Sequence, residues 1–184
     1  MALQVHFSSE RDNWGTPTWL IAELTGRGFD LTLDVCATPE NAKAPFWITP
    51  ECDALRYDWT AAFNFMTPNS RRAEAWAWMN PPYGRAIGKW VEKAVAEAEK
   101  GLKTLALVPA RTDTRWFRRF LCQHENGRWT PRFPMEFFLG RLHFELDGID
   151  QGAAPFPSVL VHIDINAGGQ TCWRPSVCLQ ELKL

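Results

Sequence analysis

The sequence predicts an α/β fold with a mostly parallel sheet and an antiparallel C-terminal end. Two observations lead to this prediction. Between residues 16 and 121, strand-like patterns alternate with segments of helical periodicity, which is the order that builds parallel sheets. After residue 135 the chain reads as a run of strands, so the last part of the sheet should be antiparallel.

The first two elements are a helix and a strand. Thr16-Pro17 has the residue types of a helix start, with proline at the first helical position. This helix should end at Gly26 or Gly28. The stretch FDLTLDVCAT, residues 29–38, alternates as a strand does and ends in polar residues.

Two further strands and a loop are predicted next. Phe46–Thr49 is a short strand candidate, and the Pro, Asn, Ser and Arg residues of segment 61–75 indicate an exposed loop. Trp76–Met79 is bulky and apolar enough for a buried strand. Pro81 and Pro82 end it, because proline has no N–H to donate to a neighbouring strand.

The next helix has the clearest pattern in the chain. Its apolar residues recur on one helical face: Ile87, Trp90, Val91, Ala94, Val95 and Ala98. Gly101 should end it. Thr104–Val108 is nearly all apolar, as parallel strands buried on both faces are, and Thr112 or Thr114 should cap a following helix with Trp116, Phe117, Phe120 and Leu121 facing inward.

The C-terminal part is predicted to contain strands alone. Glu136–Leu139 and Arg141–Glu145 read as a hairpin that turns at Gly140. Ser158–Ile165 reads as a long final strand.

Length and composition limit the possible functions. The chain has 184 residues, 46% of them hydrophobic and 22% charged, which suits a single domain with a sizeable core. Its start lacks the basic and apolar regions of a signal peptide, and no apolar run reaches the length of a bilayer. We therefore expect a cytoplasmic protein without membrane association. Five cysteines form no CxxC pair and four histidines are scattered, so no metal site is predicted.

Charge is uneven along the chain. The formal net charge of −1 argues against a uniformly basic nucleic-acid binder, but residues 101–145 carry eight Lys and Arg against four Asp and Glu. A local basic patch can supply phosphate contacts. Arg111, Arg115, Arg119 and Arg141 are the candidates for such contacts, and an ordinary solvated face is the alternative.

Two polar side chains are predicted at one edge of the sheet. Asp34 and Asn80 both follow strands, and ligands of open α/β sheets bind outside the carboxyl ends of the strands. Both side chains should therefore face one cleft. For Asp34, capping of the following turn is the alternative.

The stretch NPPY, residues 80–83, suits an exocyclic amine on a flat heterocycle. The Asn80 side-chain oxygen and the Pro81 carbonyl are two acceptors, and proline holds its carbonyl in a fixed place. Bonded to the two N–H groups of the amine, they would draw its nitrogen out of conjugation and stabilise positive charge in the transition state. Tyr83 offers a ring for stacking and Pro82 a wall. The alternative is a turn that only ends a strand.

An amine prepared in this way needs no strong general base. It can attack an activated methyl group directly and lose its proton afterwards. A sulfonium is a suitable methyl donor, because aromatic faces stabilise its positive charge. Reactivity then depends mainly on the alignment of nitrogen, methyl group and sulfur.

With its neighbouring blocks, NPPY resembles the S-adenosylmethionine-dependent N6-adenine DNA methyltransferases of the small, Dam-like phage and prophage type. The other blocks follow in the expected order: WGTP (14–17), LDVCAT (33–38), DAL (53–55), LVPARTDTRWF (107–117), LGRLHF (139–144) and APFPSVLVHI (154–163). The similarity covers most of residues 12–165. NPPY alone is shared with methyltransferases that act on RNA or on glutamine side chains, whereas the whole series is far more specific.

The resemblance implies a Rossmann-like class I methyltransferase fold with helices on both faces of the sheet. We expect one domain over residues 1–184. The chain departs from the family in being short, with no separate block that could be called a target-recognition domain, so loops must supply any sequence specificity. The resemblance also implies S-adenosylmethionine as methyl donor, double-stranded DNA as partner and an adenine flipped out of the duplex. We expect no metal, and no obligate protein partner is evident from the sequence.

The resemblance assigns site residues as well. The catalytic residues that it implies are Asn80, Pro81, Pro82 and Tyr83. The cofactor-binding residues that it implies are Trp14, Thr16, Pro17, Asp34, Cys36, Ala37, Asp53 and Leu55.

Alternatives stay open at this point. Trp14 with Thr16-Pro17 could form only a hydrophobic staple and a helix start, and Asp53 could be a solvated loop charge. The alternative functions are a methyltransferase acting on RNA or on a protein amide, and a catalytically silent DNA-binding protein of the same fold.

Overall fold

A computed structural model describes residues 14–69, 72–146 and 148–175 of the chain. Its helices are α1 (Thr18–Gly26), α2 (Trp59–Met66), α3 (Ile87–Glu99) and α4 (Arg115–Leu121), with a 3-10 turn at Pro50–Cys52. Its strands are β1 (Asp30–Asp34), β2 (Phe46–Trp47), β3 (Ala75–Met79), β4 (Thr104–Pro109), β5 (Cys122–Glu125), β6 (Arg128–Pro131), β7 (Met135–Leu139), β8 (His143–Leu146), β9 (Ile149–Ala153), β10 (Ser158–Ile163) and β11 (Thr171–Pro175).

Seven strands form the main sheet in the order β11-β7-β10-β4-β3-β1-β2. All neighbouring pairs in it are parallel except the two that β10 makes, with β4 and with β7. The predicted α/β fold, with a mostly parallel sheet and an antiparallel C-terminal part, is confirmed. The arrangement is consistent with a Rossmann-like methyltransferase fold.

The centre of the sheet forms the core. Every residue of β4 is buried, as a parallel strand covered on both faces requires. The predicted apolar face of α3 is confirmed, since Ile87, Val91, Ala94, Val95 and Ala98 are all buried. The helix ends one residue before Lys100, and Gly101 follows with a left-handed φ of 97°.

The register of the parallel strands brings their carboxyl ends together. Asp34, the last residue of β1, pairs with Trp78 of β3, and the Val35 N–H donates to the Trp78 carbonyl at 3.0 Å. Met79 of β3 pairs with Ala106 of β4. The segments that follow β1, β3 and β4 therefore leave the sheet at the same edge.

A buried ionic cluster joins α1 to the β7 side of the sheet. The Glu136 carboxylate on β7 accepts hydrogen bonds from Arg27 at 2.7 and 2.8 Å and lies 2.5 Å from Nε2 of His162. Arg174 of β11 donates to the same carboxylate at 3.2 Å. Burial alone would raise the pKa of Glu136, but hydrogen bonds from His162 and Arg27 hold that pKa at about 2.

The predicted hairpin of residues 136–145 is wrong. β7 pairs with β10 and β11, whereas β8 pairs with β9 in a separate two-stranded sheet. After β7, Gly140 takes a left-handed φ of 87°, and the chain leaves the main sheet. The physical reason is Phe144 on β8, which is fully buried against Trp14 and Phe156 instead of lying beside β7.

The predicted exposed loop of residues 61–75 is also partly wrong. Its first part belongs to α2, whose residues Trp59, Ala62 and Phe63 are buried on one face. Asp58 caps this helix, because its side chain accepts a hydrogen bond from the Ala61 N–H at 2.9 Å.

Smaller differences concern the ends of elements. α1 begins at Thr18 with Pro17 as its N-cap, so the predicted start at Thr16 lies too early. The second strand contains only Phe46–Trp47, and β10 is shorter than predicted and is followed by β11. The hairpin of β5 and β6, which turns at Asn126 and Gly127 with positive φ, was not predicted. No helix in the described part of the chain is long and apolar enough to cross a membrane.

Candidate active site

A cleft of about 330 Å³ opens at the carboxyl edge of the sheet. Nine of the predicted site residues line it: Trp14, Thr16, Asp34, Cys36, Ala37, Asp53, Asn80, Pro81 and Pro82. The prediction that Asp34 and Asn80 face one cleft is confirmed. These residues come from three segments: the chain before α1, the end of β1 with the β1–α2 connection, and the β3–α3 connection.

The other predicted residues lie outside the cleft lining. Pro17 caps α1, and Leu55 is half-buried after the 3-10 turn. Tyr83 is buried behind Asn80. The four predicted arginines are exposed: Arg111 after β4, Arg115 and Arg119 on α4, and Arg141 after β7.

Several cleft residues were not among the predicted site residues. An apolar wall is formed by Ile48, Pro50, Ala54, Trp78 and Trp90. Glu145 and Leu146 of β8 also line the cleft, together with Gly15, Val35, Thr38, Asn41, Lys43 and Thr49. The apolar residues carry no motif that marks a site, because their patterns are those of any strand or helix that packs against a core.

The Asn80 amide is held by three hydrogen bonds. Its Nδ2 donates to the Trp14 carbonyl at 2.5 Å and to Oγ1 of Thr16 at 3.0 Å. Its Oδ1 accepts from the Tyr83 hydroxyl at 2.7 Å. An amide oxygen has two lone pairs, so Oδ1 keeps one for a further donor. The amide is thus fixed in orientation while it keeps an acceptor position.

The sequence suggested that the Tyr83 ring is available for stacking, but Tyr83 is only 5% exposed and its ring is covered. Its ring packs nearly perpendicular to Phe144 and Phe156, with centroids 5.8 and 5.3 Å away. Its hydroxyl lies 3.0 Å from the Leu107 carbonyl as well as beside Asn80. Burial raises the pKa of Tyr83 well above its usual value, so the phenol stays a proton donor at neutral pH.

Asp34 is a buried carboxylate at the tip of β1. Its oxygens accept hydrogen bonds from the Cys36 N–H at 3.2 Å and the Lys43 N–H at 3.0 Å, which close the segment after the strand. Burial raises its pKa to about 6, although these two N–H groups lower it. Burial also raises the pKa of the adjacent Cys36 thiol well above its usual value, so that thiol is neutral. Asp34 therefore supplies the cleft with a poorly solvated negative charge above pH 6.

Residues 14–17, called the 14–17 segment below, cover one side of the cleft and are fastened to β8. Gly15 pairs with Glu145, whose N–H donates to the Gly15 carbonyl at 2.9 Å. A Cβ on Gly15 would lie 2.2 Å from the Glu145 carbonyl oxygen, so only glycine fits this approach. The Glu145 carboxylate accepts from the N–H and the hydroxyl of Thr18, both at 2.9 Å.

One known protein family matches most of the chain. The family model described as DNA N-6-adenine-methyltransferase (Dam) matches residues 5–154. The chain belongs to the Dam family. The resemblance drawn from NPPY and its neighbouring blocks is thereby confirmed.

Two phage proteins are similar to this chain. A DNA N-6-adenine-methyltransferase of Haemophilus phage HP1 (strain HP1c1) is 31% identical over 113 residues, which are 59% of this chain and 56% of that protein. A protein of the same name from Escherichia phage T1 is 32% identical over 107 residues, 58% of this chain and 40% of that protein. The chain spans about half the length of these curated relatives.

The Dam family implies a methyl donor of the S-adenosylmethionine type, and the cleft residues fit such a molecule. The cleft has a volume of about 330 Å³, which is within the range of ligand sites. The apolar wall suits a flat heterocycle, and the Asp34 carboxylate suits an ammonium or ribose hydroxyl group. Among the residues that the structure describes, no three His, Cys, Asp or Glu side chains are grouped so as to hold a metal ion.

Proposed function

We propose that this protein transfers a methyl group from S-adenosylmethionine to N6 of adenine in double-stranded DNA. The observation that carries the proposal is the fixed Asn80 amide in the cleft that also contains Asp34. Membership of the Dam family and the names of the two phage relatives support the reaction and the base.

In this proposal Asn80 and Pro81 bind the amine of the target adenine. The free lone pair of Asn80 Oδ1 accepts one N–H, and the Pro81 carbonyl accepts the other. Within the described residues, the Pro81 carbonyl takes part in no backbone hydrogen bond of a turn or loop. Two acceptors on the amine would localise the nitrogen lone pair, and the acceptors would stabilise positive charge as the methyl group is transferred.

The proposal requires that adenine leave the duplex, since its N6 atom cannot reach this cleft while it is paired. Stacking of the flipped base on Tyr83 requires that the ring be uncovered, because Phe144 and Phe156 now pack against it. We infer that these rings separate when the base enters. Pro82, which lines the cleft, would form the opposite wall.

The methyl donor would occupy the remainder of the cleft. When bound, it supplies an electrophilic methyl group on a positively charged sulfur. Asp34 would hold its ammonium or ribose groups, Asp53 would accept a further hydrogen bond, and the face of Trp14 would lie against the cation. Pro17 and Leu55 do not line the cleft, so their proposed role is to position the 14–17 segment and the 3-10 turn.

DNA would approach across the start of α3 and α4. Arg111 and Arg115 are exposed at the start of α4, and Arg85 and Lys89 are exposed at the start of α3. The two helix starts touch, because a Cβ built on Gly88 would lie 3.1 Å from Cβ of Trp116. We propose that these cations bind the phosphates that flank the target nucleotide. Arg119 and Arg141 lie farther along α4 and after β7, and we propose peripheral phosphate contacts for them.

Two alternatives keep the fold and change the function. An RNA or protein amide substrate would use the same acceptors, and a silent DNA-binding protein would use the arginines alone. A competition assay separates DNA from RNA as substrate: the protein, S-adenosylmethionine, duplex DNA and RNA of the same sequence are mixed, and methylated nucleosides are quantified. We expect N6-methyladenine in the DNA and at least tenfold less in the RNA. Equal or greater methylation of RNA would contradict the proposed substrate, and DNA binding without cofactor binding would indicate the silent protein.

A further inference from the structure

We propose that Thr16 is a positioning residue that fixes the orientation of the Asn80 amide, and not a ligand of the methyl donor. Both N–H groups of Asn80 Nδ2 are accepted by the 14–17 segment, one by the Trp14 carbonyl and one by the Thr16 hydroxyl. Asn80 lies more than sixty positions farther along the chain. The inference rests on the proposed function, because it assigns a role within that site.

Orientation matters because the two ends of an amide have opposite hydrogen-bonding character. Only Oδ1 can accept from the target amine, whereas Nδ2 can only donate. The Trp14 carbonyl can only accept, so it holds Nδ2 on its side, and the Tyr83 hydroxyl at 2.7 Å holds Oδ1 on the other. Thr16 provides the second acceptor on the Nδ2 side, which leaves neither N–H of the amide free to turn toward the target.

The surroundings of Thr16 suit this role. The residue is 2% exposed, so little water can compete with its hydroxyl for the hydrogen bond from Asn80. The 14–17 segment is held from its other side by Glu145, which pairs with Gly15 and accepts two hydrogen bonds from Thr18. Thr16 therefore reaches Asn80 from a backbone that is fixed at both ends.

This arrangement couples the two halves of the cleft. The 14–17 segment lines the part where the donor would bind, and the same segment holds the amide that would bind the target amine. A donor that packs against Trp14 would stabilise the segment and, through Thr16, the orientation of Asn80. We therefore expect tighter binding of the target adenine once the donor is bound.

Three variants test the role of Thr16. Thr16→Val removes the hydroxyl at nearly unchanged shape, and Thr16→Ser retains it. Thr130→Val is the matched control, since it removes a hydroxyl from β6, which does not line the cleft. The side-chain amide resonances of Asn80, identified by their loss in Asn80→Asp, report the orientation by NMR without any need for activity. Melting temperatures confirm that each variant is folded.

The expected result is selective for the hydroxyl at position 16. In Thr16→Val, one Asn80 amide proton should exchange with solvent at least tenfold faster, and the single-turnover rate of methyl transfer at saturating donor should fall about tenfold. The Kd of the donor should stay within about twofold, and Thr16→Ser and Thr130→Val should resemble the wild type.

Two results would overturn the proposal. One is a Thr16→Val variant in which the Asn80 amide protons exchange with solvent as in the wild type, whatever happens to the rate of methyl transfer. The other is a donor Kd that rises about tenfold while the rate at saturating donor is unchanged, which would make Thr16 a donor ligand. A wild type without methyl transfer to adenine would contradict the proposed function, and the amide resonances would still decide the role of Thr16.

Discussion

Asp34 should make the stability of the protein depend on pH in an unusual direction. Its carboxylate is 3% exposed and its acceptor contacts are two backbone N–H groups, so burial raises its pKa from 3.8 to about 6. The folded state then binds the proton more tightly than the unfolded chain between pH 4 and pH 6. Unfolding free energy should therefore fall as pH rises through this interval, and the loss is complete above pH 6.

The size of the effect follows from the two pKa values. At about 1.4 kcal/mol per pKa unit, the interval from 3.8 to about 6 corresponds to about 3 kcal/mol. Asp34→Asn cannot ionise, so its stability lacks this dependence. The change also alters the hydrogen bonds to Cys36 and Lys43, but that contribution is the same at every pH. More than half of this carboxyl is already ionised in the unfolded chain at pH 4, so part of the effect lies below that pH. The stability of Asp34→Asn relative to wild type should thus increase by about 2 kcal/mol between pH 4 and pH 7.

Urea unfolding of both proteins across this pH range measures the difference. Asp113→Asn, which removes an exposed carboxylate before α4, controls for the change in net charge. A difference between wild type and Asp34→Asn that is constant from pH 4 to pH 7 would refute the reasoning about burial. At pH 8 the same variant should bind S-adenosylmethionine at least tenfold more weakly, because the buried charge is gone.

Three further predictions follow from the site and the fold. Asn80→Ala should reduce methyl transfer at least a hundredfold, as measured by single-turnover kinetics. The donor Kd, measured by calorimetry, should stay within about threefold. Loss of donor binding together with methyl transfer would contradict the assignment of Asn80 to the target amine. Arg111→Ala with Arg115→Ala should reduce the salt dependence of DNA binding, the slope of log K against log salt, by about two, whereas Lys100→Ala at the far end of α3 should not change it. Glu136→Gln should lose about 3 kcal/mol of unfolding free energy at pH 7. That loss should diminish as pH falls from 4.5 toward 2, because the wild-type carboxylate becomes protonated there. A loss that is independent of pH would contradict the conclusion that the charge of Glu136 stabilises the fold.

Much of the fold could be predicted because local sequence patterns determine it. The face of α3 and the buried strands β3 and β4 follow from periodicity and from uninterrupted apolar runs. The shared cleft of Asp34 and Asn80 follows from a topological rule, since parallel neighbours end at the same edge. These predictions needed no knowledge of contacts between distant segments.

The features that were missed depend on such contacts. The strand pairing of β7 and β8 is decided by where Phe144 packs, and its partners Trp14 and Phe156 lie on other segments. The burial of Tyr83 has the same cause, because Phe144 and Phe156 cover its ring.

The hydrogen bond from Asn80 to Thr16 joins residues 64 positions apart, and no spacing in the sequence indicates it.

The helix α2 is a different case. Its cap and its buried residues are visible in the sequence, but the Pro, Asn, Ser and Arg residues after it favoured a loop for the whole segment.

The proposed function of this cleft is methylation of N6 of adenine in duplex DNA. The most direct measurement incubates the purified protein with S-adenosylmethionine carrying a tritiated methyl group and with unmethylated duplex DNA, then digests the DNA to nucleosides. We expect the label in N6-methyldeoxyadenosine, and at least a hundredfold slower labelling when Asn80→Ala replaces the wild type. Donor binding without label in that nucleoside would contradict the claim.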